Sequence, residues 1–510
     1  MASSPSSHDP ARRRSSSASY NAPIAYQNLD DATAGLSVDI PDENPSPTTE
    51  KPPPSPVREA RWRSVAEAPS YDIPDDWANL DELAATSPVE NVAESSIYRH
   101  HSLEQIRSRD REERESRRAS LAESTLQPPA AELTDVEAVN EKEEHHVSRL
   151  ATQIYTISYL VFFAIWGTLA RVGLSALNTY PGDPVIFDIL WANFGGSLVM
   201  GFLSEDRMLF RYEWGTPSYD QMLARAKENS NTGSESSGQG DQVIDLVAAK
   251  KAHLATKKTI PLYIGLATGF CGSFTSFSSF IRDIFLALSN EMVTPNLGIP
   301  GRNGGYSFMA LLAVTITTVS LSLAGLILGA HLAIALERFT PSIPYPVTRK
   351  ILDPLGVFLG WGCWLGAVLM AIFPPHNKWR GEILFALVFA PLGCLARFYL
   401  AIYLNGKIAS FPLGTFAANI AGTAVLGMSW DIAHAQIGGI VGCQVLQGIE
   451  DGFCGCLTTI STWVAELSSL KRSHSYIYGF SSVAVALAVM IAIMGGLRWS
   501  DGFSPLLCVS

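Results

Sequence analysis

Two short runs carry the polar chemistry of an otherwise apolar stretch of sequence. Residues 269–280 read GFCGSFTSFSSF, and residues 452–463 read GFCGCLTTISTW. Each lies in a segment long enough for a membrane helix, yet a continuous membrane helix has no use for two glycines and several hydroxyls so close together. The pattern predicts a helix that breaks where it lines something polar. A break frees backbone carbonyls, negative ends suited to a hard cation, while Ser278, Ser279, Ser461 and Thr462 add hydroxyl donors in series. Groups of this kind bind and pass ions. An enzyme is not expected, since no metal cluster, nucleophile motif or phosphate loop occurs among the apolar segments. Both runs share GFCG and then place hydroxyls at matching positions, which marks an internal repeat.

The elements that must position these runs are apolar segments of about 20 residues each. Nine are expected, at roughly 151–177, 184–203, 260–288, 305–336, 351–373, 381–404, 410–430, 439–468 and 475–497. Residues 1–147 are rich in Ser, Pro, Arg and Glu, including KPPPSP at 51–56, and predict a disordered tail. The start MASSPSSHDPARRRSSS has no apolar core of a secretory signal, so the tail is expected in the cytoplasm. Within it, Arg12–Ser17 and Arg117–Ser120 offer Arg-directed phosphorylation matches. With the N-terminus inside, the loops at 204–259, 337–350, 405–409 and 469–474 face the cytoplasm and carry Lys250, Lys251, Lys257, Lys258, Arg349, Lys350, Lys471 and Arg472. That asymmetry agrees with the positive-inside rule and puts the C-terminus outside. The net charge of −11 mixes an acidic tail with a nearly neutral membrane part, and gives no sign of a nucleic-acid partner. Six cysteines, Cys271, Cys363, Cys394, Cys443, Cys454 and Cys456, lie in apolar segments and are expected to pack as thiols without a disulfide framework.

The first four segments carry GTLAR (167–171), WANFGG (191–196) and GFCGSFTSFSSF; the last four carry GCLAR (393–397), AANIAG (417–422) and GFCGCLTTISTW. One segment, 351–373, separates them. An odd connecting helix makes the second half enter the membrane from the opposite face. The expected fold is therefore an all-α polytopic membrane protein of nine transmembrane helices. It comprises two inverted four-helix repeats (148–340, with a cytoplasmic insertion at 204–259, and 380–500), each with a broken third helix, joined by one linker helix.

In order, these motifs resemble the bacterial fluoride channels (the Fluc/CrcB family), which are antiparallel dimers of a four-helix subunit, and the fused nine-span form resembles the eukaryotic fluoride export proteins. The resemblance covers about 150–500 and excludes the tail. It implies a passive fluoride-selective channel that exports cytoplasmic fluoride and confers resistance. It implies pore residues Asn193, Asn419, Phe277 and Phe280, with Thr415 of the GT motif beside Asn419. It also implies a structural sodium ion held by the backbone carbonyls of Phe274, Thr275, Leu457 and Thr458.

The residue types suit that task. An anion entering low dielectric loses hydration, which fixed donors must offset. Asn amides donate without a full charge, and Phe rings present a positive edge. An Asn in a membrane helix is as readily interhelical glue, but Asn193 and Asn419 hold matching places. Arg171 and Arg397 also match, which favours an electrostatic role in an anion vestibule over snorkelling. Asp283 and Glu466 match near helix ends, where they are expected to be solvated, and Glu450 and Asp451 have no assigned role. The halves differ. Ile189 stands against Thr415, and Ile460 and Trp463 stand against Phe277 and Phe280, so one pore is expected to conduct and the other to be vestigial. The expected setting is the plasma membrane, with fluoride, sodium and lipid as partners and the fused monomer as the working unit. A coupled small-ion transporter and a nontransporting scaffold are the alternatives. The first would call for an ionisable group in mid-membrane, and the second leaves the repeated break unexplained.

Overall fold

The computed structural model describes residues 71, 77, 148–178, 185, 187–210, 257–292, 304–435 and 437–508. The phosphorylation matches, nearly all of the tail and residues 211–256 of the polar insertion lie outside them. The described residues fold into helices with no β-strand. In chain order we label α1 (Arg149–Asn178), α2 (Ile189–Glu205), α3 (Pro261–Leu288), α4 (Gly304–Ala335), α5 (Thr348–Ile372), α6 (Phe385–Leu404), α7 (Leu413–His434), α8 (439–469) and α9 (Arg472–Ser500).

Six of these are long and apolar enough to cross a membrane: α1, α3, α4, α5, α9 and the helical stretch Asn377–Lys407 around α6. Three of the nine expected spans fall short. The 17 residues of α2 are too few, α8 carries Glu450, Asp451 and Glu466 on either side of its break, and the AANIAGT sequence of α7 dilutes its apolar character. These shortfalls share a cause, because helices packed among protein can carry Gly, Asn and Thr where a lipid-facing helix cannot. The outer helices show the converse. Tyr306, Phe308, Ile316 and Ile327 of α4, Phe358, Trp361 and Leu365 of α5, and Tyr476, Ile477 and Phe480 of α9 are exposed, as lipid-facing side chains would be.

The third and eighth helices sit at the centre. After its break, α3 packs against α4 of its own half and against α7 and α9 of the other; after its break, α8 packs against α9 and against α2 and α4. The second arms are thus exchanged between halves. α1 and α6, the two helices that carry the LAR motifs, pack on each other. The contact of α2 with α4 is backbone to backbone. A Cβ on Gly201 would lie 1.9 Å from the Leu326 carbonyl oxygen, and one on Gly329 1.9 Å from that of Leu198. Such small-residue contacts let membrane helices associate where hydrophobic burial gives no drive.

One expectation about the cysteines is overturned. Cys443 is not a packing thiol: it is bonded to Cys508, 65 residues on, with their Cα atoms 5.7 Å apart. The chain after α9 folds back, Phe503 lies against Trp430 and His434 at the end of α7, and this return brings the two sulfurs together. Cys271, Cys363, Cys394, Cys454 and Cys456 are free thiols.

Candidate ion pathway at the crossed helix breaks

Both breaks are built the same way. α3 passes through a π-helical stretch, Gly265–Cys271, and a last turn, Gly272–Phe274, before Thr275 (φ −95°, ψ 150°) and Ser276 (φ −139°, ψ 119°) run extended. α8 passes through π-helical Ile449–Cys454 and Gly455–Leu457 before Thr458 (φ −92°, ψ 153°) does the same. The helices restart at Phe277 and Ser461. π-helical turns frequently mark functional sites.

The two breaks cross and cap each other. The Ser278 amide donates to Thr458 Oγ1 at 3.0 Å and the Ser461 amide to Thr275 Oγ1 at 3.2 Å, each across the halves. Locally, the Ser279 amide donates to Ser276 Oγ at 3.2 Å and the Thr462 amide to Thr459 Oγ1 at 3.5 Å. In an unbroken helix these four amides would serve the carbonyls of Phe274, Thr275, Leu457 and Thr458. Hydroxyls have taken the donors, so those four oxygens lose their helical partners. Ser278 and Ser461 tie further across, with Ser278 Oγ donating to the Cys454 carbonyl at 3.5 Å and Ser461 Oγ to that of Cys271 at 3.2 Å.

Asn193 and Asn419 hold the breaks. Asn193 Oδ1 accepts from the Ser276 amide at 2.9 Å and its Nδ2 donates to the Ser276 carbonyl at 3.4 Å; Asn419 makes the same pair with Thr459 at 2.9 and 3.3 Å. Both are fully buried. An amide nitrogen has two N–H donors, and one long bond leaves the second to point elsewhere.

Arg171 and Arg397 are buried side chains whose donors are spent on carbonyls. Arg171 donates to Ser273 at 2.6 Å, to Gly455 at 2.8 Å and also to Asp451; Arg397 donates to Cys456 and to Thr268, each at 2.8 Å. Each guanidinium therefore joins the two halves at the turns that lead into the breaks. Their closeness explains the last glycine of each GFCG. A Cβ on Gly272 would lie 2.2 Å from the Arg397 guanidinium, and one on Gly455 2.2 Å from that of Arg171.

Phe277 and Phe280 are fully buried and meet edge-on, with centroids 5.8 Å apart, while Phe277 meets Trp463 at 5.4 Å. The second arm of α3, which carries both rings, packs on α9 and on α7, the helix of Thr415 and Asn419. The second arm of α8, which carries Trp463 and follows Ile460, packs on α2, the helix of Ile189 and Asn193. The two sets differ in kind, since one joins Phe edges to a Thr and an Asn, and the other joins an Ile, a Trp and an Ile to its Asn.

Thr415 belongs to a buried polar cluster that sequence reasoning missed: it bonds Glu466 and Asn405, and Tyr478 joins through Glu466. Glu466 is not solvated: it is 1% exposed and accepts from Thr415 Oγ1 at 2.6 Å, Tyr478 Oη at 2.7 Å and, weakly, Asn405 Nδ2 at 3.5 Å. Asn405 also accepts from the Gly414 and Thr415 amides at 2.7 and 3.0 Å, which fixes the start of α7. Burying a carboxylate is costly without such donors. The match of Glu466 to Asp283 was a usable signal, whereas Tyr478 lies in α9 with no motif around it. Asp283 is buried too, beside Arg282 at 3.1 Å. Replacing Tyr478 by Phe removes one charge-assisted bond and is expected to cost about 1.5–3 kcal/mol, read as a lower midpoint of thermal unfolding in detergent. An unchanged midpoint would mean that the Glu466 cluster does not hold a charge.

The chain matches the model of the CrcB-like protein family, Camphor Resistance (CrcB), over residues 158–330 and 384–497. It is similar to fluoride export protein 1 of Neurospora crassa, 54% identical over 88% of each chain. It is 34% identical to fluoride export protein 1 of Candida albicans, over 69% of this chain and 82% of that one. A fluoride-specific ion channel FluC of Pseudomonas aeruginosa is 36% identical over 24% of this chain and 98% of its own, the proportion expected when one repeat is compared. No solved structure matches.

Proposed function

The chain belongs to the CrcB-like family, and from that premise we propose that it is a passive fluoride channel that exports fluoride through one of two unequal pathways. Fluoride export is the function, and transport without catalysis is the class, that this membership supports. The observation that carries the finer reading is the exchange of the second arms, which sets Phe277 and Phe280 of one half against the helix bearing Thr415 and Asn419 of the other.

The proposed arrangement has nine spans in two inverted repeats, a cytoplasmic N-terminus, an extracellular C-terminus and a plasma-membrane setting, with the monomer as the working unit. The Cys443–Cys508 bond supports an extracellular C-terminus, because disulfides persist outside the reducing cytosol. In the working pathway an anion leaves water beside Thr415, the amide of Asn419 offers it N–H donors, and the edges of Phe277 and Phe280 replace hydration with positive partial charge. The fit of a structural sodium rests on the four carbonyls deprived of helical donors, those of Phe274, Thr275, Leu457 and Thr458. A hard cation takes oxygen ligands, and bound there it supplies fixed positive charge at the crossing. Arg171 and Arg397, buried against the same turns, add positive field from inside the protein.

The test is fluoride efflux from loaded proteoliposomes, followed by an external electrode with a potassium ionophore present. Fast efflux that stalls without the ionophore is the expected result, and absence of efflux beside a working control channel would overturn the proposal. Buried carboxylates within the helices, Glu466, Asp283 and Glu450 among them, favour coupled transport as the second reading. That reading requires fluoride movement driven by an imposed proton gradient with no ionophore.

A further inference from the structure

Tyr71 and Trp77 come from a region whose composition predicts no fold, yet they are 0% and 2% exposed. The Tyr71 hydroxyl donates to Asp353 Oδ2 at 3.0 Å, and the Tyr159 hydroxyl of α1 donates to Oδ1 of the same carboxylate at 3.2 Å. The Arg349 guanidinium lies over the Tyr71 ring, 3.3 Å from its centroid, and pairs with Asp353 at 3.6 Å. Trp77 meets Phe398 of α6 edge-on at 5.2 Å and fills an apolar cluster with Leu160 and Ala164 of α1 and Ala401 and Ile402 of α6.

We propose that the cytoplasmic end of the membrane domain, between α1, α5 and α6, is a binding site for an aromatic-acidic peptide, that its occupant is the chain's own segment around Tyr71 and Trp77, and that this occupant restrains fluoride flux. The restraint rests on the fluoride reading above; the binding site does not. The pocket has two parts of distinct chemistry. One is polar, with Asp353 as acceptor and Arg349 as a cation for an aromatic face. The other is apolar, with Ala164 and Ala401 leaving room for the largest side chain in the protein alphabet. The sequence between the anchors, DIPDD, carries three aspartates, and α5 begins with Arg349 and Lys350, so the charges are complementary. About 70 residues join Trp77 to α1, a tether that holds the segment at high local concentration without requiring that it stay bound.

The position gives the occupant leverage over the pathway. Phe398 follows Arg397, whose guanidinium holds the carbonyls of Cys456 and Thr268, and Cys456 belongs to the cluster that Trp77 fills. Trp77 therefore sits between α1 of one half and α6 of the other, beside the turn that Arg397 holds, and braces the two halves there.

The test uses the full chain. With a photoreactive phenylalanine analogue at position 77, crosslinks to α1 and α6 are expected, and crosslinks elsewhere or none would overturn the binding site without any reference to fluoride. In proteoliposomes, Trp77→Ala is expected to raise initial fluoride efflux by about threefold or more, the change produced when a mostly bound occupant becomes mostly free. Tyr71→Phe, which removes one hydroxyl and keeps the ring, is expected to give a smaller rise. A synthetic peptide of residues 67–81, added on the side of the tail, should return the Trp77→Ala rate toward wild type, which loss of folding alone would not permit. An unchanged rate in Trp77→Ala, or no rescue by the peptide, would overturn the restraint. Wild-type protein that crosslinks but carries no fluoride would instead overturn the channel reading.

Discussion

Asn419→Asp is expected to lower fluoride efflux at least about 100-fold, while Asn193→Asp stays within about threefold of wild type. The substitution keeps the Oδ1 acceptor that holds the Thr459 amide at 2.9 Å, so the break should survive. It removes the Nδ2 donors and sets a carboxylate beside the path of an anion. Loss of a charge-assisted hydrogen bond alone is worth about 1.5–3 kcal/mol, or about 10- to 150-fold, and repulsion adds to it. Asn193 makes the same backbone bonds, but its pathway has Ile189 in place of Thr415 and Ile460 and Trp463 in place of the Phe pair. The measurement is efflux from proteoliposomes, with elution as a single species showing that each variant folds. Equal loss from both changes would sink the unequal pathways.

Gly455→Ala and Gly272→Ala are expected to cost about 3–5 kcal/mol each, enough to lower yield and melting temperature sharply. The added methyl would lie 2.2 Å from a guanidinium, and a guanidinium at the tip of a flexible side chain usually moves aside. Here it cannot do so cheaply. Arg171 is anchored on the carbonyls of Ser273 and Gly455 and Arg397 on those of Cys456 and Thr268, so displacement strands a buried charge. Gly173→Ala is the control, two residues from Arg171 on α1, where an added Cβ meets nothing within 4 Å. Thermal unfolding in detergent reads all three. If Gly455→Ala melts with Gly173→Ala, the arginines do not lock the halves.

The motifs that located the site were legible because they are local. A hydroxyl-rich GFCG run inside an apolar segment needs no partner to be recognised as a break, and both breaks occur where the sequence places them. The burial of Glu466 was not legible, because a carboxylate near a helix end reads as solvated until Thr415, Asn405 and Tyr478 are seen to converge on it from three other places in the chain. The Cys443–Cys508 bond was hidden for the same reason, since it depends on the return of the chain after α9.

By itself, the sequence determined the repeat, the helical class, the broken helices and the matched pairs Asn193 and Asn419, Arg171 and Arg397. Each follows from composition within one segment, where the length of an apolar run and the loss of helical donors at a Gly/Thr break are properties of contiguous residues. The tertiary structure decided which helices pack on each broken arm, that the arginines grip carbonyls of both halves, and that Tyr71 and Trp77 dock on α1, α5 and α6. Those outcomes depend on which helix faces meet, and that is set by backbone contact at glycines and by the need of every buried donor and acceptor for a partner, often from a segment more than a hundred residues away.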